Sequence, residues 1–439
     1  MSYSSLKAFT CRAPVAGESH TARAHGNSLF SSSARVACAT VATCLIAGSS
    51  VLSFAHAATS ANGMPVDSVR AAAKASNVTP QSVAQFYAQL VYANYSDTLS
   101  AAKELQQAIN SFTAKPSEAG LKRARAAWLG AREFYGQTEV FRFYGGPIDG
   151  DNGLEGQLNA WPMDESYVDY VAGNLKAGLI SDSTILIDSN TLLELNERGG
   201  EENISTGWHA IEFMLWGQDT NIDGVGAGAR VYTDFVEGTA HNADRRRAYL
   251  SVITNLLVSD LSTITGAWAP AQDNYRKTFE ANGLQAVRDM IVGMGSLSRG
   301  ELAGERMEVP LHSQDQEDEH SCFSDNTHRD IVTNAQGILN VWSGSYMRKD
   351  GSTLSGASMR DLVATQNASL ATELDGAIRH SVNNAQAIQA PFDREIIGSD
   401  QAPGRQRVQV TIDSLVQQSK ILVSAATVIG ITNLTLSAP

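Results

Sequence analysis

From Val83 onward, apolar residues recur at the three- and four-residue spacing of a helix with one buried face. Val83, Phe86, Tyr87, Leu90, Val91 and Tyr95 begin the stripe, and Leu99, Leu105, Ile109 and Phe112 continue it. Thr79-Pro80 supplies a start, a capping residue followed by proline at the first helical position, and Pro116 supplies the stop. A second helix is predicted from Ser117, with Glu118 in its first turn, where a carboxylate suits the helix dipole. It carries Leu121, Ala124, Trp128, Phe134 and Val140, and is expected to end at Gly145-Gly146-Pro147.

The later chain repeats the theme. Helical spacing is predicted over 249–279 with a break near Pro270, over 284–307 ending at Pro310, and over 330–342, 359–388 and 408–429. Strict alternation of the kind that marks strands is scarce, so the expected fold class is all-α. A faint echo links the halves: Ala131-Arg132-Glu133 through Glu139 and Arg142 in one, Arg299-Gly300-Glu301 through Glu305-Arg306 in the other. It suits two helical-bundle domains related by duplication, over 79–240 and 241–439.

The residues before 79 have a different character. Arg12, Arg23 and Arg35 precede an apolar, small-residue stretch over 36–54, and Ala55-His56-Ala57 fits the small-x-small pattern of a signal-peptide cleavage site. Residues 1–57 are therefore expected to be a signal peptide and 58–78 a polar linker. Export to the periplasm or outer envelope follows. A membrane anchor is the alternative reading, but the apolar stretch is short and rich in Ala, Ser and Thr. Val41-Ala42-Thr43-Cys44 resembles a lipoprotein box only faintly, because the apolar run continues past the cysteine. After residue 60 no run of eighteen apolar residues occurs, so the mature chain is not expected to span a membrane.

Removing the leader changes the charge and the thiol inventory. Lys7, Arg12, Arg23 and Arg35 against Glu18 give it a net +3, so its loss takes the formal charge from −13 to −16. An acidic body of this kind disfavours nucleic acid and anionic membranes and favours cations. Cys11, Cys38 and Cys44 leave with the leader, and the remaining Cys322 has no partner for an internal disulfide. The absence of Cys-x-x-Cys-His argues against covalently attached haem.

Three segments carry candidate chemistry. His209 and Glu212 stand at i, i+3 within an otherwise apolar run, so a helix places both on one face. An imidazole and a carboxylate suit zinc, iron or copper, and equally suit a hydrogen-bonded pair inside a core. Two ligands from one helix do not complete a metal site. Residues 317–328, with Glu317, Glu319, His320, Cys322, Asp325 and His328, show no hydrophobic period. Asp325-Asn326-Thr327 is good helix-start chemistry, and His320 and His328 with the acidic residues suit a polar lining or a second metal shell. Asp219-x-Asn221-x-Asp223-Gly224 imitates the opening of a calcium loop, but position twelve is Arg230, so it is read as a turn and not an EF-hand. His-Glu-x-x-His, a P-loop and Gly-x-Ser-x-Gly are all absent.

With these residues assembled, the chain resembles the imelysin family, and within it the iron-regulated branch. The resemblance rests on Gly207-Trp208-His209-Ala210-Ile211-Glu212, Leu215-Trp216-Gly217-Gln218-Asp219 and Tyr232-Thr233-Asp234-Phe235. It continues in Leu302-Ala303-Gly304-Glu305-Arg306-Met307, the 317–328 block and Gly337-Ile338-Leu339-Asn340-Val341. It implies two helical bundles with the motif helix facing their interface. His209 and Glu212 are the implied metal-binding pair, and Glu305, Arg306, Asp325 and His328 the implied lining. The family is named for an insulin-cleaving metallopeptidase, and other members are linked to iron acquisition. Two functions follow as expectations. The first is capture of iron, or of an iron-bearing ligand, in company with envelope iron-uptake proteins. The second is metallopeptidase chemistry, which ranks lower because Glu212 cannot serve both as ligand and as general base.

Overall fold

Thr79 turns the chain into its first helix by a reciprocal cap. Its hydroxyl accepts from the Ser82 amide at 3.1 Å, while the Ser82 hydroxyl accepts from the Thr79 amide at 2.9 Å. The computed structural model describes residues 78–221 and 226–436. The expected signal peptide, and all of the expected linker but Val78, lie outside them.

Helix α1 spans Pro80–Ala114 and α2 Glu118–Tyr135, the latter capped by the Ser117 hydroxyl on the Gly120 amide. The α-helix ends ten residues before the expected Gly145 and tightens into a 3-10 turn, Gly136–Phe141, where the Thr138 hydroxyl binds the Tyr135 carbonyl. Residues 142–206 are loops and short helical turns, among them Glu155–Leu158. Helix α3 is the motif helix, Gly207–Trp216. Helices α4 (Ala243–Ala267) and α5 (Tyr275–Ala281) flank the predicted break at Pro270.

Helix α6, Leu284–Ser296, continues without interruption into a π-helical stretch, Leu297–Glu308, and a last turn, Val309–Ser313. Pro310 therefore does not stop the helix as expected; it stands in the first turn after the wide segment, where a missing N–H is tolerated. Helix α7 spans Thr327–Ser343, followed by a two-stranded hairpin of β1 (Ser345–Met347) and β2 (Thr353–Ser355). The predicted 359–388 segment is two helices, α8 (Met359–Gln366) and α9 (Ala368–Ala387). The chain breaks at Asn367, whose side chain caps α9 through the Leu370 amide. Helix α10 is Pro403–Val428. The all-α expectation holds for the described residues, apart from that one hairpin.

Helix α1 packs along both α2 and α4, while α10 packs along α9 and the π-helical stretch. Helix α4, which begins just beyond the expected boundary at 240, thus lies among the helices of the first half. Of the described helices, α4 alone is long and apolar enough to cross a membrane, yet Leu250, Ile253, Leu257, Leu261 and Ile264 on it belong to the core. Tyr87, Phe141, Trp268 and Phe279 cluster where α1 meets α5, with ring centroids 5.2–6.0 Å apart. The halves approach closely at Gly337 of α7, where any Cβ would lie 2.6 Å from the Gln137 carbonyl oxygen. That contact seats α7 on the 3-10 turn and brings the 315–326 loop over α3.

Candidate metal centre

The motif helix begins at Gly207 because no other residue fits there. Its φ is +86°, and a Cβ would lie 2.5 Å from the Leu158 carbonyl oxygen. Helix α3 is thereby pressed against the Glu155–Leu158 turn, and all ten of its residues are buried. His209 and Glu212 share one face as predicted: His209 Nδ1 lies 2.9 Å from Glu212 Oε2. The second carboxylate oxygen is also engaged, accepting from the Ser324 amide at 3.0 Å and the Ser324 hydroxyl at 2.6 Å.

The other imidazole nitrogen faces the opposite way. His209 Nε2 lies 3.3 Å from Nε2 of His320. His320 Nδ1 in turn lies 2.8 Å from Asp330 Oδ2, the oxygen that also takes the Ser321 hydroxyl at 2.6 Å and Arg132 at 2.9 Å. The Arg132 guanidinium sits over the rings of Trp128, Tyr135 and Trp208. Trp161 closes the site from the side, its ring centroid 4.9 Å from that of His209. A buried line of groups results: Glu212, His209, His320, Asp330, Arg132.

Burial sets the protonation of this line. It holds His209 well below the usual histidine value, with His320 and Arg132 adding to the effect, and it lowers His320 to about 4, helped by Arg306 and opposed by Asp330. Both rings are therefore neutral at pH 7. Burial raises Glu212 to about 8 against the pull of the Ser324 hydrogen bonds. Asp330 is also pushed up by burial, but Arg132 and His320 more than offset this and keep it ionised. These states assign the hydrogens: the Glu212 carboxyl donates to His209 Nδ1, His209 Nε2–H to His320 Nε2, and His320 Nδ1–H to Asp330.

His320 opens onto a cavity of about 490 Å³, lined also by Trp161, Glu155, Glu301, Glu305 and Arg306. The π-helical stretch shapes one wall. Residues five apart are rotated by roughly 140° in an α-helix but share a face when hydrogen bonds run i to i+5. Arg306 accordingly meets Glu301 at 3.0 Å and also binds Glu139 at 2.6 Å. Burial would raise Glu139, but Arg142 and Arg306 hold it down at about 2.

Of the residues expected to line the site, Glu305 and Arg306 do so and Asp325 and His328 do not. Among the described residues, Asp325 lies with Asp219 and Asp393, and His328 Nδ1 faces the Asp325 carbonyl at 3.1 Å. Asn326 occupies the cap position of α7 without a side-chain cap. The pairing of His209 with Glu212 is also of a different kind from two ligands converging on one point: the carboxyl grips the far nitrogen of the ring. The sequence reads His320 with His328 and the acidic residues as a polar lining or second metal shell, without its pairing to His209. Arg132, Asp330, Ser324 and Trp161 carried no sequence signal of their own, because each is explicable as a helix-face, first-turn or loop residue.

A family model for imelysin, peptidase M75, matches residues 91–422. The chain belongs to the imelysin family. This imelysin-family chain is 25% identical over 334 residues to iron-regulated protein A of Synechococcus elongatus, covering 73% of the present chain and 78% of that protein. A crystal structure described as a candidate iron-regulated protein A precursor from Parabacteroides distasonis superposes with a TM-score of 0.61. It is 18% identical and covers 80% of this chain and 96% of that one, a likeness of fold.

The donor set fits a transition metal. Two imidazole nitrogens bound to one tetrahedral metal, each about 2.0–2.1 Å from it, lie roughly 3.3–3.4 Å apart. The Nε2 atoms stand at 3.3 Å. A carboxyl group stands behind each ring: His320 Nδ1–H donates to Asp330, the arrangement that orients a metal-binding histidine and raises its basicity, and the Glu212 carboxyl meets His209 Nδ1.

Proposed function

We propose that this protein is an exported, envelope-associated metal-capture protein whose cargo is iron, or an iron-bearing small ligand, in iron acquisition. The observation that carries the reading is the approach of His209 and His320 Nε2 to 3.3 Å, with Glu212 and Asp330 behind them. Imidazole suits iron, zinc and copper alike, so the name of the similar cyanobacterial protein, iron-regulated, is what favours iron as the natural cargo. Glu155 and Glu301 on the cavity wall are paired with Arg142 and Arg306, and the acidic excess of the lining, with Glu305 in it, raises local cation concentration. The sequence over 36–57 supports export, and envelope iron-uptake proteins are the partners such a role requires.

The residues act in sequence. Glu305 and its neighbours attract the cation into the cavity, and His320, at the cavity wall, meets it first. As His209 Nε2 gives up its hydrogen to solvent, the Glu212 carboxyl passes its own proton to Nδ1, which frees Nε2 to share the cargo with His320. Trp161 and the 315–326 loop shield the pair from water. Peptidase chemistry ranks lower because both Glu212 oxygens are engaged, by Ser324 and by His209, so the motif carboxyl is not free to act as general base.

The test is anaerobic titration of the full chain with Fe(II), alongside Zn(II), followed by metal analysis after gel filtration. One metal is expected per chain. His209→Ala and His320→Ala should each abolish stoichiometric binding while circular dichroism stays helical. Metal binding that survives in His320→Ala would remove the assignment, and a wild-type chain that binds neither metal would remove the function.

A further inference from the structure

A second group of metal-ligating side chains lies outside the histidine site. Asp219 follows the motif helix, Asp325 belongs to the loop that carries His320 and Ser324, and Asp393 opens the short Asp393–Ile396 turn. One carboxylate oxygen from each lies within 4.8 Å of the other two. Oxygens sharing one calcium ion at 2.3–2.6 Å are at most about 5 Å apart, so the group meets the spacing a single ion imposes.

An independent observation points to a ligand. Asp219 and Asp393 are each only 3% exposed. Even so, Asp219 Oδ2 has no hydrogen-bond partner among the described residues, and neither does Asp325 Oδ1, while the Asp393 carboxyl meets the buried Glu319 carboxyl. Asp219 spends its other oxygen on the Asn221 amide and side chain at 2.9 and 2.7 Å. Glu319, wholly buried, adds a fourth carboxyl against Asp393 and Thr327. Burial and the neighbouring carboxyls raise Asp219, Asp325 and Glu319 together. Carboxyls buried this close together must either hold protons or share a cation. Solvent reaches the group through a cavity of about 510 Å³ that Asp219 and Asp393 line with Asp315 and Glu317, which provides an entry path and room for water ligands.

We propose that Asp219, Asp325 and Asp393 form a second cation site, for a hard divalent ion of the calcium class, which fastens the His320 loop to the motif helix and to the Asp393–Ile396 turn. Three carboxylates and water are the oxygen-only set such an ion takes, and no imidazole or thiol enters it. The Asp219 turn thus supplies a single ligand to a site assembled from three separate segments, which is why a twelve-residue calcium loop is absent from the sequence.

The test uses the full chain stripped with EGTA, in wild type, Asp219→Asn, Asp393→Asn and the His209→Ala/His320→Ala double variant. Calcium chloride is titrated by calorimetry, and thermal midpoints are read with and without 5 mM calcium (about the top of the range for extracellular sites). One calcium per chain is expected, with a Kd of about 10⁻⁴–10⁻³ M and a raised midpoint in wild type and in the double histidine variant. Each Asn variant should bind at least about tenfold more weakly. Without calcium the Asn variants should melt above wild type, since repulsion is relieved, and with calcium the order should reverse. No saturable calcium binding by wild type, or equal binding by the Asn variants, overturns the proposal. Calcium binding lost only in the histidine variant would assign the ion to the histidine pair instead.

Discussion

His209 and Glu212 are bound to each other, Nδ1 to Oε2 at 2.9 Å, and this contact decides which nitrogen of the ring is free. Glutamine at 212 keeps the shape and places an N–H against Nδ1, which forces the hydrogen of His209 onto Nε2, the atom facing His320. Glu212→Gln should therefore weaken zinc or iron binding by about 10–100-fold without unfolding the chain. Competition against a chromophoric chelator measures it. Affinity within about twofold of wild type, well short of an outer-shell effect, would mean that the carboxyl does not govern the ring.

Metal uptake should expel a proton. In the metal-free line the Glu212 carboxyl, raised to about 8, and His209 Nε2 both carry hydrogen at pH 7. When Nε2 becomes a ligand its hydrogen must leave, and the ring takes the carboxyl proton onto Nδ1, for a net loss of one. Affinity should rise as pH rises towards 8 and flatten above it. Calorimetry in buffers of different ionisation enthalpy counts the proton; a count of zero at pH 7 would show Glu212 already ionised.

Glu139 gives the fold a defined response to acid. Its folded value, about 2, lies below the ordinary 4.5 because Arg142 and Arg306 outweigh its burial. A carboxyl depressed in this way contributes stability that is fully present above 4.5 and lost as pH falls from there to about 2. The contribution is on the order of 3 kcal/mol. Urea unfolding of wild type and Glu139→Gln should differ most near pH 6 and converge below pH 3. A constant difference across that range would rule out the ionised carboxylate as its source.

Gly207→Ala probes the seat of the motif helix. The added methyl meets the Leu158 and Gln157 carbonyl oxygens at 2.5 and 2.7 Å, and the backbone at φ +86° opposes it as well. A loss of about 1–3 kcal/mol is expected in the urea midpoint, together with weakened metal binding as α3 tilts. A stability change under about 0.5 kcal/mol would mean that the turn yields at little cost.

The legible parts of this molecule are those set by residues near one another in the chain. Thr79 and Ser117 announced their helices because a cap bonds an amide three positions on, and the His209–Glu212 pair followed from one helical turn. Pro310 misled because a π-helical stretch leaves no periodic signature in so short a run, and Asn367 because a cap between two helices sits inside one continuous stripe. The site itself was only half visible. Glu212 finds Ser324 and Arg132 finds Asp330 through packing alone, and Asp330 in the first turn of α7 reads as an ordinary dipole partner. The 317–328 block advertised polarity without saying where it would point. The structure divides it, setting His320 beside His209 and Asp325 beside Asp219 and Asp393.

The His209–His320 contact joins positions 111 residues apart, and the Arg132–Asp330 pair behind it joins positions 198 apart. Contacts of such high order carry a large loop-closure cost, whereas helix pairs such as α1 with α2 close only a short loop. An emerging chain therefore has no affinity for cargo until α7 has docked and carried the 315–326 loop into place. Under the proposed function, metal would not nucleate this fold but be admitted to a finished one, and cargo loading would serve as a readout of complete tertiary assembly.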